Sequence, residues 1–136
     1  MTSKITVALA IITNERNEIL ALRKNNSVYY TLPGGKIEFQ ETPIDALIRE
    51  LSEELHLRFE PTALTLVGTH ITQAANEPDT IVEGHIFRLN SPLNIKVSTY
   101  AEIVEHVWLS HANYKDYNLA HLLKEFALPL WLAQSF

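Results

Sequence analysis

The stretch from Thr42 to Leu55 has a period that fits one backbone only. Ile44, Leu47, Ile48, Leu51 and Leu55 recur at steps of three and four residues, which places them on one face of an α-helix. Thr42 supplies a hydroxyl for the N-cap, and Pro43 fits the first helical position, where a missing N–H costs nothing. Asp45 stands where a capping-box acid reaches back.

Around this helix the chain reads as strand. Lys4 to Thr13 alternates and is β-branched, Asn14 to Asn17 is turn-like, and Glu18 to Arg23 reads as the returning strand of a hairpin. Val28 to Leu32 is β-prone and runs into Pro33-Gly34-Gly35, read as a turn. Thr65 to Thr72, Thr80 to Leu89 and Ile103 to Leu109 are further strands, the first two separated by the polar loop at Asn76-Glu77-Pro78-Asp79. A second helix is expected over about Leu119 to Leu132, with Pro129 kinking or ending it. The apolar tail (Phe126, Leu128, Leu130, Trp131, Leu132, Phe136) suits either the core or a contact between two copies, so monomer and homodimer both stay open. Two helices among hairpins give an α+β, or mixed α/β, fold with a mixed sheet. With 136 residues and no repeat or linker, the expectation is one domain over 1–136.

Composition narrows the function. The chain is 46% hydrophobic and 20% charged, which is globular, and no apolar run reaches the ~18 residues of a membrane span. The N-terminal apolar stretch alternates with polar positions, which favours a strand over a signal peptide. Without cysteine there are no disulfides, thiolate metal sites or cysteine nucleophiles, which fits a reducing cytoplasm. A net charge of −5 argues against a partner that is a nucleic-acid polymer. An acidic protein that handles a phosphorylated ligand needs a cation between the two.

The helix supplies a place for one. Glu50, Glu53 and Glu54 fall at i, i+3 and i+4, sharing a face largely opposite the apolar stripe. Three like charges there repel one another, and they sit in the last turns, where the helix dipole disfavours anions, at about 0.3–1 kcal/mol each. Such a face is either solvated or holds a hard divalent cation, Mg²⁺ or Mn²⁺, which takes carboxylate oxygens and keeps water and phosphate as its other ligands. Just upstream, the Gly34-Gly35 backbone can approach a ligand closely.

Taken together, Gly35-Lys-Ile-Glu-Phe-Gln-Glu41, seven further residues, and Arg49-Glu50-Leu51-Ser52-Glu53-Glu54-Leu55-His56-Leu57 resemble the signature box of the Nudix hydrolases. Every fixed position of that pattern over 35–57 matches except one: His56 stands where the family has glycine. The resemblance implies an α/β/α sandwich and metal-dependent hydrolysis of nucleoside diphosphates linked to another group. It makes Glu50, Glu53 and Glu54 the metal-binding carboxylates, with the Gly34 carbonyl as a further ligand and Arg49 orienting the glutamates. Glu41 supports either the loop–helix structure or the outer shell of the metal, and Gly35 is a structural residue of the box. His56 ends the helix where positive φ is wanted, at a modest cost in stability.

A general base comes either from a box glutamate or from a loop acid before a late strand. Glu102 resembles that loop acid, with Glu105 as runner-up. Outside the box, the wording PGGKIE…ET is similar to MutT-type enzymes, which hydrolyse nucleoside triphosphates, including oxidised purine nucleotides, to monophosphate and pyrophosphate. By that likeness Arg23 and Lys36 contact phosphate, and Asn118 reads a purine edge unless it caps the second helix. ADP-ribose or another dinucleotide is the alternative substrate, although the proline marker of that class is absent. A nucleotide-sensing domain without turnover is the alternative of a different kind.

Overall fold

Strand β1 (Ser3–Ile11) lies in the middle of the molecule because its side chains are apolar on both faces. In the computed structural model, which describes residues 3–134, it is followed by β2 (Ile19–Lys24), β3 (Tyr30–Thr31), β4 (Gly34–Lys36), α1 (Pro43–Leu55), β5 (Leu64–Gln73), β6 (Thr80–Leu89) and β7 (Ile103–Leu109). A π-helical turn (Leu123–Ala127) then runs into α2 (Leu128–Ala133). One sheet has the order β4-β1-β6-β5 and the other β3-β2-β7. β1 runs parallel to β6 and antiparallel to β4, so the first sheet is mixed, as expected.

Alternation along β1 sorts the core into two layers. Val7, Leu9 and Ile11 join Leu122, Leu123 and Trp131 of the C-terminal helix. Ala8, Ala10 and Ile12 join Leu47, Leu51 and Leu55 of α1. β2 repeats the pattern, with Ile19 and Ala21 on the first side and Leu20 and Leu22 on the second. Helix, sheets and helix therefore stack as an α/β/α sandwich. Among the described residues no helix is long and apolar enough to cross a membrane.

Three sequence expectations are corrected. β1 and β2 make a turn, with a bridge at Thr13 and Ile19 and Leu20 N–H donating to Ile12 O at 2.9 Å, but they are not a hairpin within one sheet. Both edges of β1 are already taken by β4 and β6, so β2 crosses to the second sheet. The Pro33-Gly34-Gly35 segment is less a turn than the entry to β4, in which Gly34 and Gly35 pair with Leu9 and Ala8.

The third concerns the C-terminal helix, which Pro129 does not end: the regular ladder breaks just before it and then resumes. Leu128 N–H reaches back five residues to Leu123 O, and this wider turn leaves Pro129 in the first turn of α2, where it has no N–H to satisfy. Helical structure consequently starts at 121 and continues to Ala133.

Of the apolar tail, Trp131 is fully buried and donates its indole N–H to Asn17 O at 2.9 Å, while Leu132 is exposed. Phe136 lies outside the described residues. Trp131 therefore belongs to the core and ties the helix to the turn after β1. Trp131→Ala is expected to lower stability by about 3–5 kcal/mol, measured as a shift in the urea unfolding midpoint.

Candidate active site

Helix α1 begins as its sequence dictates. Thr42 is extended, and its hydroxyl accepts the Asp45 N–H at 3.3 Å, while the Asp45 carboxylate makes no return bond among the described residues. From this start the register sends Glu50 and Glu54, one turn apart, toward β4. Glu54 is only 2% exposed and accepts the Gly34 N–H at 3.0 Å. The Glu50 carboxylate packs on Gly35 so closely that a Cβ there would come within 2.5 Å of its Cδ. Gly34 carries its own constraint, because its φ is +134° and a Cβ would meet Ala8 O at 2.1 Å. Two glycines stand here so that strand backbone and helix carboxylates can touch. The solvated-face reading therefore fails for Glu50 and Glu54 and describes Glu53 alone, whose side chain is half exposed.

Arg49 holds the exposed side of this cluster. Its guanidinium meets Glu41 through two parallel bonds of 2.8 and 2.9 Å, and one nitrogen donates to both Glu50 and Glu53 at 3.0 and 3.1 Å. It also donates to Lys36 O of β4 at 3.1 Å. Glu41 in turn accepts the Glu38 N–H at 2.8 Å, and with Arg49 this pulls its carboxyl down to about 2. The loop between β4 and α1 is thus fastened to the helix by charge-assisted bonds.

A cavity of about 180 Å³ reaches Gly34 and Gly35, the residues that Glu54 and Glu50 pack against, although none of the three glutamates lines it. Val7, Leu9, Leu32 and Leu122 give it apolar walls, while Gly34, Gly35 and Lys36 lie on the side of the box. Gln73, Asn76, His121 and Tyr29 add polar and aromatic groups. Lys24 also lines it, and its positive charge reaches both Glu50 and Glu54.

The sequence reading passed over Lys24 in favour of Arg23. Arg23 is drawn elsewhere, bonding Glu105 at 2.9 Å and Ser27 O at 3.0 Å, and it is not among the cavity's lining residues. A bulge opposite Arg23 and Lys24 sets this arrangement, which no local sequence pattern announces. Glu105 accepts from Arg23 and from the Tyr30 hydroxyl, and both bonds pull its carboxyl below the usual range. Glu102 pairs with Lys24 at 3.2 Å, and its charge is felt at Glu54. Asn118 is exposed and outside the cavity lining, and its carbonyl accepts the Tyr30 N–H at 2.8 Å. Helical structure starts at 121, so Asn118 does not cap it.

Comparison with known proteins fits this geometry. The profile of the NUDIX domain matches residues 3–128. The chain belongs to the Nudix family. It is 38% identical over 79 residues to 8-oxo-dGTP diphosphatase of Escherichia coli strain K12, a match covering 51% of this chain and 61% of that protein. It is also 31% identical over 86 residues to ADP-ribose pyrophosphatase of Methanocaldococcus jannaschii, covering 61% of this chain and 47% of the relative. With RNA pyrophosphohydrolase of Ruthia magnifica the identity is 42% over 50 residues, covering 37% of this chain and 28% of that one. The matched stretches thus span from 28% to 61% of these relatives' lengths. Among solved structures, MutT protein from Methanosarcina mazei Go1 superposes with a TM-score of 0.73 at 23% identity, covering 98% of this chain and 96% of that one. The solution structure of the Escherichia coli ORF135 protein gives 0.68 at 25%, covering 98% and 90%.

The Nudix box accordingly runs from Gly35 on β4 to Leu57 beyond α1. At its one departure, His56 takes the left-handed conformation (φ 54°, ψ 34°) and its N–H caps Ser52 O at 3.0 Å. A non-glycine residue there costs on the order of 1–2 kcal/mol.

The family generally uses divalent metals, and the donor set suits one. Burial pushes the Glu54 carboxyl up to about 8 and raises that of Glu50, so ionising this pair calls for a positive charge beside it. Among the described residues no three acidic or imidazole side chains converge on one point, and Glu50 and Glu53 are both bonded to Arg49.

The burial of Glu54 has a measurable consequence in metal-free protein. A carboxyl that ionises near 8 when folded and near 4.5 when unfolded costs nothing below 4.5, where it is protonated in both states. Stability then falls as pH rises, by up to about 1.4 kcal/mol per unit until the folded pKa is passed. Glu54→Gln removes this titration and keeps an acceptor for Gly34. In EDTA its urea midpoint, relative to wild type, is expected to climb between about 4.5 and about 8 and then level off.

Proposed function

We propose that the protein is a divalent-metal-dependent hydrolase of nucleoside diphosphates linked to another group. Its preferred substrates are nucleoside or deoxynucleoside triphosphates, oxidised purine forms included, cleaved to monophosphate and pyrophosphate. The observation that carries the reading is Glu54, buried against the Gly34 backbone, with Glu50 part-buried on Gly35, beside a cavity that both glycines line together with Lys24 and Lys36. A purely structural helix face has no use for an acid as buried as Glu54.

Glu50, Glu53 and Glu54 would hold Mg²⁺, or Mn²⁺ in its place, with the Gly34 carbonyl as a further ligand. The ion supplies neutralisation of the polyphosphate and activation of a water. The chain's own residues do the rest. Arg49 keeps Glu50 and Glu53 together on one side, anchored through Glu41. Lys24 and Lys36 offer positive charge to phosphate at the cavity. Glu102 suits the role of base better than Glu105, whose proton affinity is lowered by Arg23 and Tyr30. The apolar walls with Gln73, Asn76 and Tyr29 suit a base that is flat, apolar on its faces and polar at its edge.

ADP-ribose is the second reading, favoured by the likeness to the Methanocaldococcus jannaschii enzyme. Turnover with Mg²⁺ across canonical and oxidised deoxynucleoside triphosphates, ADP-ribose, NADH and diadenosine tetraphosphate, with products identified by mass, separates the two. Monophosphate plus pyrophosphate from a triphosphate is the expected result, abolished by EDTA and reduced at least about 100-fold in Glu53→Gln. A preference for ADP-ribose would keep the chemistry and replace the substrate. Tight binding of one nucleotide with no turnover of any would make the protein a sensor and overturn the proposal.

A further inference from the structure

The loop from β6 to β7 has little regular structure, yet its last residues are pinned at several points. The Tyr100 N–H donates to Glu54 O at 2.9 Å, tying the loop to the end of α1. The Tyr100 ring lies flat on the His56 imidazole, with centroids 3.4 Å apart and planes within 4°. The chain then turns, with Ile103 N–H donating to Tyr100 O at 3.2 Å and Ala101 forced to a φ of 58°. Beyond the turn, Glu102 O accepts the Asn25 N–H at 2.9 Å and the Glu102 carboxylate holds Lys24 at 3.2 Å.

Two residues with side chains, His56 and Ala101, therefore keep left-handed backbones on either side of Tyr100. Glycine would take a φ of 54° without strain, so the cap alone does not call for an imidazole at 56. Strain of this kind persists where surrounding contacts over-determine it, and at His56 both the bond to Ser52 O and the ring of Tyr100 bear on it. What lies beyond the stack matters to the site. Lys24 lines the cavity, and the charges of Lys24 and Glu102 both reach the buried Glu54.

We propose that His56 and Tyr100 form a clasp that fixes the Tyr100–Ile103 turn to the end of α1 and so positions the Glu102–Lys24 pair beside the buried carboxylates. His56 is thereby a positioning residue, acting through Tyr100. Its effect on turnover rests on the hydrolase reading above; its effect on the turn does not.

His56→Gly tests this, because glycine keeps the cap and removes only the ring. Its urea midpoint is expected to equal or exceed that of wild type. By NMR, the Tyr100 and Ile103 amides should exchange about tenfold faster while those inside α1 hold, as for local opening of one segment. With Mg²⁺ and the best nucleotide of the panel, kcat/KM should fall about tenfold, the scale of a misplaced group. Tyr100→Phe, which keeps the ring, should behave as wild type, and His56→Gly combined with Tyr100→Ala should be no worse than His56→Gly alone. Unchanged exchange at Tyr100 and Ile103 in His56→Gly would overturn the clasp. Faster exchange with wild-type kcat/KM would overturn the positioning role. If the wild-type protein turns over none of the nucleotides, the hydrolase reading falls separately. The clasp is then decided by the same exchange rates and by NMR relaxation of the Lys24 ammonium, whose unchanged order in His56→Gly would overturn it.

Discussion

A buried carboxylate meeting a strand amide is the contact on which the site depends. Glu54 accepts the Gly34 N–H at 3.0 Å, from a helix face that elsewhere faces Ala8, Ala10 and Ile12. An acid with so little water around it has to be placed rather than tolerated. Placing it fixes the rest. Glu50, one turn earlier, has to lie on Gly35, β4 has to be glycine where the helix crosses it, and β1 has to offer alanines beneath α1. The helix is held at a distance that larger residues on either side would not allow.

The opposite edge of the cluster is governed by a cation rather than by burial. Arg49 gathers Glu41, Glu50 and Glu53 and a carbonyl of β4 around one planar group. A lysine could not reproduce that set, because its ammonium lacks the fork that meets Glu41 with two parallel bonds. One end of the glutamate face is thus mobile only as far as a guanidinium permits, and the other is locked by a backbone amide. A cation held by these carboxylates would have to share Glu50 and Glu53 with Arg49, while Glu54 is tied to Gly34.

Much of this was legible in the residues. The cap at Thr42, the stripe from Ile44 to Leu55 and the spacing of the glutamates are local patterns, and local physics decides them. The long strands were legible for the same reason. β4 was not, because Gly34-Gly35 has no strand propensity and pairs only since Leu9 and Ala8 are there to receive it. The crossing of β2 to a second sheet depends on β1 being occupied on both edges, a fact about residues far away in sequence. Pro129 does mark an irregularity in the helix, but as one wide turn before it rather than a stop, which the residue alone does not specify. At Arg23 and Lys24 a bulge reassigned the two cations, Arg23 to Glu105 and Lys24 to the cavity.

The parallel pairing of β1 with β6 also governs how the chain is made. Ser3 to Ile11 leave the ribosome well before their partner in register, Thr80 to Arg88, which follows only after β2, α1 and β5 have been synthesised. Until then this apolar strand has one open edge and only the short β4 to cover the other. Non-local pairing of this kind forms slowly and leaves strand edges exposed in the meantime. During synthesis β1 is the vulnerable segment, and its protection arrives with residues near 80.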